Sequence, residues 1–133
     1  MDWLAYQRYL GCFNSRDYDS VVAHFQPEAE VWFGGVVLKG HAAIREFYAF
    51  FHDHVIETIT VSRFAASEQL VALEATVRLE AIQDLTAERL ASQGYPGLVP
   101  LSAGEIVALD QFIHYHMENG KFAVAVCLIN PAL

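Results

Sequence analysis

The hydrophobic period changes once along this sequence, after about residue 54, and no other feature limits the possible folds as strongly. Before the change, apolar residues recur at helical spacing, which predicts helices at about 2–14, at about 41–54, and in a short segment from Asp17 that carries Phe25 and ends at Pro27. After the change, apolar and polar residues alternate, which predicts strands over 56–66, 69–82, 105–117 and 121–129. Two short strands are expected around Gly34-Gly35. Helices first and long strands last is the order of an α+β fold.

The composition predicts a core with apolar residues to spare. The chain has 133 residues, of which 54% are hydrophobic and 18% charged. A domain of this size buries about two-thirds of the surface that its unfolded chain exposes. A twisted antiparallel sheet that wraps around helices leaves a wedge between the two layers. We expect the surplus of apolar residues to line a pocket in that wedge, or to face a partner subunit.

The charge pattern excludes several classes of partner. The net charge is −8, and the eight Lys and Arg residues are scattered. Phosphate binding needs clustered cations, so neither nucleic acid nor an anionic membrane surface is an expected partner. No secretory signal and no apolar run of membrane-spanning length is present, and Cys12 and Cys127 form no C-x-x-C pair. These features predict a cytoplasmic protein with free thiols.

The segment at about 83–104 interrupts the strands. It begins with a possible helical turn and continues with glycine and proline residues. Connections of this length are unusual in compact domains and are often functional, so this inserted segment is a candidate lid. A structural flap along a sheet edge explains it equally well.

Alternation assigns faces to two strands. In 69–82 the inward residues are Val71, Leu73, Ala75, Val77, Leu79 and Ala81. In 105–117 the predicted inward residues are Leu109, Gln111, Ile113 and Tyr115, and the outward ones are Asp110, Phe112, His114 and His116. A slip of one residue would exchange these two faces. Neither His52 with His54 nor His114 with His116 gathers the three or four converging ligands that a metal needs, and no nucleotide-binding motif occurs, so we expect neither metal nor cofactor.

Four stretches of the chain resemble the nuclear-transport-factor-2-like superfamily. They are Arg8–Asp17, Glu30–Gly35, Lys39–Tyr48 and the last hairpin turn, Glu118–Phe122. The resemblance covers nearly the whole chain except 83–104. It implies a single SnoaL-like domain over 1–133, with a cone-shaped (cystatin-like) curved sheet of mixed, mainly antiparallel strands around three N-terminal helices. It also implies a homodimer through the outer face of the sheet.

Members of this superfamily suggest catalytic residues one at a time. Tyr9 falls where ketosteroid isomerase has its tyrosine, but Trp32 and Ile113 occupy the positions of its two acids. His54 resembles a catalytic histidine of scytalone dehydratase, while Phe13 and Asn14 stand where that enzyme has a tyrosine and an aspartate. The pair in Arg78-Leu79-Glu80 resembles an epoxide-hydrolase motif, yet both charged residues fall on the polar face of their strand.

The leading hypothesis is therefore a cofactor-independent enzyme that acts by acid–base chemistry on a small cyclic or aromatic molecule. His54 would transfer the proton, because histidine titrates near neutrality, and Tyr9 or Tyr115 would orient a carbonyl or hydroxyl. Isomerisation, dehydration and cyclisation all remain open. The predicted pocket residues are Phe13, Asn14, Trp32, Phe51, Val77, Leu79, Gln111, Ile113 and Tyr115. The alternative is a non-catalytic module of the same fold that binds a small molecule or dimerises.

Overall fold

The computed structural model describes residues 1–131. Its helices are α1 (Trp3–Asn14), α2 (Tyr18–Ala23), α3 (Gly40–His54) and α4 (Ala87–Gln93). Its strands are β1 (Phe25–Phe33), β2 (Val36–Lys39), β3 (Val55–Ala66), β4 (Leu70–Ala81), β5 (Ile106–Glu118) and β6 (Lys121–Ile129). The predicted α+β class is confirmed.

One curved sheet organises the described part of the chain, with its strands in the order β2-β1-β6-β5-β4-β3. All neighbouring strands run antiparallel except β1 and β6, which are parallel. The sheet does not close on itself, and the three N-terminal helices pack against its concave face. Tyr6 from α1 and Phe47 from α3 are fully buried there. Among residues 1–131, no helix has both the length and the apolar character needed to cross a bilayer.

Side-chain caps mark where α1 and α2 begin. Asp2 accepts a hydrogen bond from the Ala5 N–H at 2.8 Å, and Asp17 accepts one from the Ser20 N–H at 3.3 Å. Such side chains satisfy the free N–H groups of a first helical turn. The Ser20 hydrogen bonds also lower the pKa of the Asp17 carboxyl. Asp17 thus begins α2, as the sequence predicts.

The second helix ends earlier than the sequence predicts. Residue Phe25 starts β1, and Pro27 lies inside that strand instead of ending a helix. The pairing of β1 with β6 shifts between Phe25 and Glu30. A proline has no N–H for a ladder hydrogen bond and is tolerated at such irregularities.

The register of β5 agrees with the predicted faces. Gln111 pairs with Ala75, and Tyr115 pairs with Val71. Both β4 partners lie on the buried face of their strand. Phe112, by contrast, is exposed on the convex face.

The 83–104 segment contains α4 and folds back on itself. Leu85 and Leu101 exchange two backbone hydrogen bonds of 2.8 and 3.0 Å, and both side chains are buried. Gly97 then packs against the β1–β2 turn so closely that a Cβ there would lie 3.0 Å from the Gly34 carbonyl oxygen. The segment therefore contacts the open end of the sheet.

Candidate functional site

A cavity of about 600 Å³ lies between the helices and the concave face of the sheet. Its volume falls in the usual range for small-molecule sites. The wall includes eight of the predicted catalytic and pocket residues: Tyr9, Phe13, Phe51, Val77, Leu79, Gln111, Ile113 and Tyr115. Leu98 and Val99 from the 83–104 segment border the cavity as well.

Two predicted pocket residues lie outside this wall. Trp32 is 45% exposed on the convex face of β1, because its neighbours Val31 and Phe33 take the inward positions of the alternation. Asn14 bonds the backbone of Ile59 in β3, as donor to its oxygen at 3.3 Å and as acceptor from its N–H at 3.2 Å. Asn14 therefore joins α1 to β3, and both predictions are corrected.

His54 is not among the residues that line the cavity. Its Nδ1 lies 2.9 Å from the Phe50 carbonyl oxygen, one turn earlier in α3. Its ring packs on the Phe50 ring at 5.0 Å between centroids. The structure buries this histidine without bringing it to the site where the sequence predicts it.

Three tyrosines form a buried cluster at one side of the cavity. The hydroxyl groups of Tyr6 and Tyr115 lie 2.9 Å apart, and the Tyr9 ring centroid is 5.6 Å from that of Tyr6 and 6.1 Å from that of Tyr115. Burial raises the pKa of all three phenols. Each hydroxyl therefore keeps its proton at neutral pH, and one of the Tyr6 and Tyr115 hydroxyls donates to the other.

A carboxylate lies in the same wall. Glu57 stands near the start of β3, and its Oε1 is 2.9 Å from Nε2 of His52 in the last turn of α3. The side chains of His52 and Glu57 are only 2% and 13% exposed. Within the described residues the hydrogen bond to Glu57 reaches Oε1, and the residue borders the cavity.

The α1–α2 connection and the first residue of α2 contact His52. Tyr18 Oη lies 2.9 Å from His52 Nδ1, and Arg16 Nη1 donates to the His52 carbonyl oxygen at 3.1 Å. The Tyr18 and His52 rings also stack at 5.8 Å. Both nitrogens of the imidazole are therefore engaged, which fixes the orientation of the ring towards Glu57.

A family comparison completes this picture of an α+β cone around an apolar cavity. The model of the SnoaL-like domain family matches residues 6–125, which is nearly the whole chain. The chain belongs to the SnoaL-like family. A search of the curated proteins gives no match to the sequence.

Solved structures with a similar fold show how varied the neighbours of this SnoaL-like chain are. A candidate polyketide cyclase from Xanthomonas campestris pv. campestris is 20% identical, with a TM-score of 0.74 over 93% of this chain and 86% of that one. An LEH-like epoxide hydrolase from M. tuberculosis is 14% identical, with a TM-score of 0.70 over 95% and 80%. A computationally designed 17-OHP binder is 13% identical, with a TM-score of 0.69 over 97% and 90%. At these identities the likeness concerns the fold.

The wall of the SnoaL-like cavity contains no Lys, Arg or His among the residues that the structure describes. Its charged members are Glu57 and, near the exposed rim, Glu105. Across residues 1–131, no three His, Cys, Asp or Glu side chains come together as a metal would need. The cavity is thus mainly apolar, with hydrogen-bonding groups and one largely buried carboxylate.

Glu57 and His52 are the functional candidates that the sequence analysis misses. A signal for Glu57 exists, because it shares the two-residue period of Ile59 and Val61 and so belongs to the inward face of β3. No sequence pattern predicts that Glu57 pairs with His52, because their spacing of five residues crosses a helix–strand junction and matches neither the helical nor the strand period. The sequence does not distinguish His52 from His54; the orientation of α3 does, because it brings His52 to Glu57 and His54 to the Phe50 carbonyl oxygen.

Proposed function

We propose that this SnoaL-like protein is an enzyme that binds a small, uncharged cyclic or aromatic molecule and moves a proton on it. Glu57 is the base in this proposal, and Tyr9 and Tyr115 are the hydrogen-bond donors. Isomerisation, cyclisation and dehydration all use such a proton transfer. The observation that carries the proposal is a largely buried carboxylate, hydrogen-bonded to His52, in a wall made mostly of apolar residues.

The position of Glu57 supports its role as a base. A carboxylate that is largely removed from water gains reactivity towards a weakly acidic C–H bond, because little solvent must be displaced from it. Its Oε1 is occupied by His52, which leaves Oε2 to receive the proton. Positioned general bases accelerate reactions by about 10²–10⁴-fold.

The tyrosine cluster supports the second half of the reaction. When a C–H proton leaves, negative charge develops on a neighbouring oxygen of the substrate, and donors held in place stabilise it. Tyr115 accepts from or donates to Tyr6 at 2.9 Å, so Tyr6 can supply the bond that leaves the Tyr115 proton for the ligand. Tyr9 adds a second protonated phenol in the same wall.

The charge of the wall supports an uncharged ligand. A carboxylate or phosphate ligand would meet Glu57 with no cation in the described wall to balance it. Burying an unpaired charge costs several kcal/mol, which exceeds the binding free energy that a few apolar contacts contribute. The matched pair of 2-naphthol and 2-naphthoate tests this point by thermal shift, and we expect stabilisation by the neutral compound alone.

A generic proton-abstraction probe tests catalysis without a known substrate. The probe 5-nitrobenzisoxazole is neutral and aromatic. A base removes its C3 proton while its N–O bond breaks, which gives a coloured nitrophenolate. We expect turnover by the unmodified protein and a loss of about 10²-fold or more in Glu57→Gln. Glu105→Gln is the matched control, because Glu105 also borders the cavity but is exposed and bonds the Ser102 N–H at 3.0 Å.

Two outcomes would contradict the proposal. Equal rates in Glu57→Gln and the unmodified protein would remove Glu57 from the reaction. Loss of 5-nitrobenzisoxazole turnover in His54→Gln, with turnover kept in Glu57→Gln, would assign proton transfer to His54, as the sequence predicts.

A non-catalytic binding protein is the second candidate function. The incomplete catalytic sets favour it, since Trp32 and Ile113 replace the two acids of the ketosteroid isomerase pattern. A binder would be stabilised by 2-naphthol and would convert 5-nitrobenzisoxazole no faster than Glu57→Gln does. The two candidates therefore give different results in the same pair of assays.

A further inference from the structure

The inward residues of β5 change from buried to partly exposed along the strand. Ile113 and Tyr115 are 2% and 4% exposed, whereas Val107, Leu109 and Gln111 are partly exposed, and all five border the cavity. The cavity therefore has a closed end beside Tyr115 and opens towards the start of β5. Gln111 lies where the closed part meets the open part.

Gln111 is a polar residue among apolar neighbours on the concave face of the sheet. It pairs with Ala75 of β4 and Ile129 of β6, and its inward neighbours along β5 are Leu109 and Ile113. Among the residues that the structure describes, no hydrogen bond engages its side-chain amide. This amide is therefore left to bond water or a ligand in the cavity.

A ligand that fills the cavity removes water from the Gln111 amide. The amide has an accepting oxygen and a donating NH2 group, so it can bond either a hydroxyl or a carbonyl group of the ligand. A ligand that covers the amide with hydrocarbon leaves it without a partner, which weakens binding by about tenfold. The wall at this position therefore favours an oxygen on the ligand, although the residues around it are apolar.

We propose that Gln111 selects ligands that carry a second uncharged oxygen, a hydroxyl or a carbonyl group, at the end that lies towards the opening. The inference rests on the proposed function, in which Tyr9 and Tyr115 bond the first oxygen at the closed end. Tyr115 follows Gln111 by four residues in β5, which is about 13 Å between Cα atoms of an extended strand. Side chains that reach inwards from both positions shorten the gap that the ligand spans. The substrate class is an elongated, uncharged aromatic molecule with an oxygen at each end.

Calorimetric titration with a matched pair of compounds tests this selectivity. 4-Phenylphenol and 4,4′-dihydroxybiphenyl share a rigid, uncharged body and differ by one hydroxyl group at the far end. We expect the unmodified protein to bind the diol about tenfold more tightly than 4-phenylphenol. Gln111→Met keeps the length of the side chain but removes the amide. This variant should bind the two compounds with affinities within about twofold of each other.

Leu109→Met is the matched control, because Leu109 is a partly exposed wall residue on the same face of β5 and the variant retains the amide. It should keep the preference for the diol. Equal affinities of the unmodified protein for the two compounds would overturn the proposal, as would a preference that persists in Gln111→Met. If neither compound binds, the proposed substrate class is wrong. The preference is measured without turnover, whereas loss of 5-nitrobenzisoxazole turnover in Glu57→Gln tests the proposed function, so the two failures are distinguishable.

Discussion

Cys127 lies on the inner face of β6, where its thiol borders the cavity. Burial, and to a smaller extent the charge of Glu57, raises the pKa of this thiol to about 12. The thiolate is the reactive form of cysteine, so at pH 8 only about one molecule in ten thousand carries it. We therefore expect this thiol to react slowly, although it borders the proposed site.

Thiol labelling checks this property. In Cys12→Ser, Cys127 is the single cysteine that remains in the sequence. We expect this variant to react with a disulfide reagent at pH 8 about 10²-fold or more slowly than the same protein unfolded in guanidinium. Folded and unfolded samples that react at equal rates would contradict the burial of the thiol.

At the scale of elements, the 83–104 segment is proposed as the cover of the cavity. Gly97 packs against the Gly34 carbonyl oxygen, and a Cβ at this position would lie 3.0 Å from that oxygen. Gly97→Ala should therefore push the segment away from the β1–β2 turn, at a cost of about 1 kcal/mol. We expect bound 2-naphthol to dissociate about fivefold faster from this variant.

Gly11→Ala is the matched control for that change. A Cβ at Gly11 meets nothing within 4 Å, and the residue lies inside α1, where alanine is the better helix former. Gly11→Ala should have a higher melting temperature than the unmodified protein and the same rate of 2-naphthol dissociation. If Gly97→Ala releases 2-naphthol at the unmodified rate, the segment is a structural flap instead of a cover.

Much of this element arrangement is predictable from the sequence, because alternation and helical spacing are local signals. The inward faces of β4 and β5 follow from residues such as Val77 and Ile113, and the structure pairs the strands in that register. The end of α2 is mispredicted, because Pro27 stops a helix in most settings and here occupies an irregular part of a strand.

The site is less predictable than the fold, because its members meet only in three dimensions. Resemblance places Trp32 in the pocket, yet the alternation of β1 turns it outward. Resemblance also favours His54, while the orientation of α3 brings His52 to Glu57. Which of two neighbouring histidines contacts the carboxylate of the cavity wall depends on how the helix packs, and the sequence does not specify it.

At the scale of the whole molecule, buried phenols predict sensitivity to alkali. Tyr6, Tyr9, Tyr48 and Tyr115 all have a pKa raised by burial above the ordinary value of 10.0. Above pH 10 the unfolded chain releases these protons, whereas the folded protein retains them. The stabilisation is therefore complete below pH 10 and declines above it, by about 1.4 kcal/mol per pH unit for each group.

We expect a cooperative unfolding between pH 10 and about pH 12, in which phenolate absorbance and the loss of circular dichroism coincide. Tyr18 and Tyr95 are partly exposed and should contribute a separate signal from the folded state. A gradual phenolate signal from all six tyrosines with unchanged circular dichroism would contradict the burial of the cluster.

The convex face of the sheet supports the proposed homodimer. Trp32 and Phe112 are 45% and 36% exposed there, and Leu128, which pairs with Phe112 and also borders the cavity, is 61% exposed. Such apolar surface is typical of an interface. We expect light scattering to give the mass of a dimer for the unmodified protein and of a monomer for Phe112→Glu. Leu4→Glu changes an exposed leucine of α1 and is the control, which should remain a dimer. A monomeric unmodified protein would contradict this proposal.

The place of β6 in the sheet has a consequence for how the molecule is made. This strand lies between β1 and β5, and its parallel pairing joins Phe25 to Phe122 across most of the chain. Contacts so distant in sequence slow folding, because a long loop must close before they form. Until β6 is in place, the other strands can pair only as two partial sheets, β2-β1 and β5-β4-β3, each with an open edge. The cavity comes into existence only when the sixth strand is inserted between them.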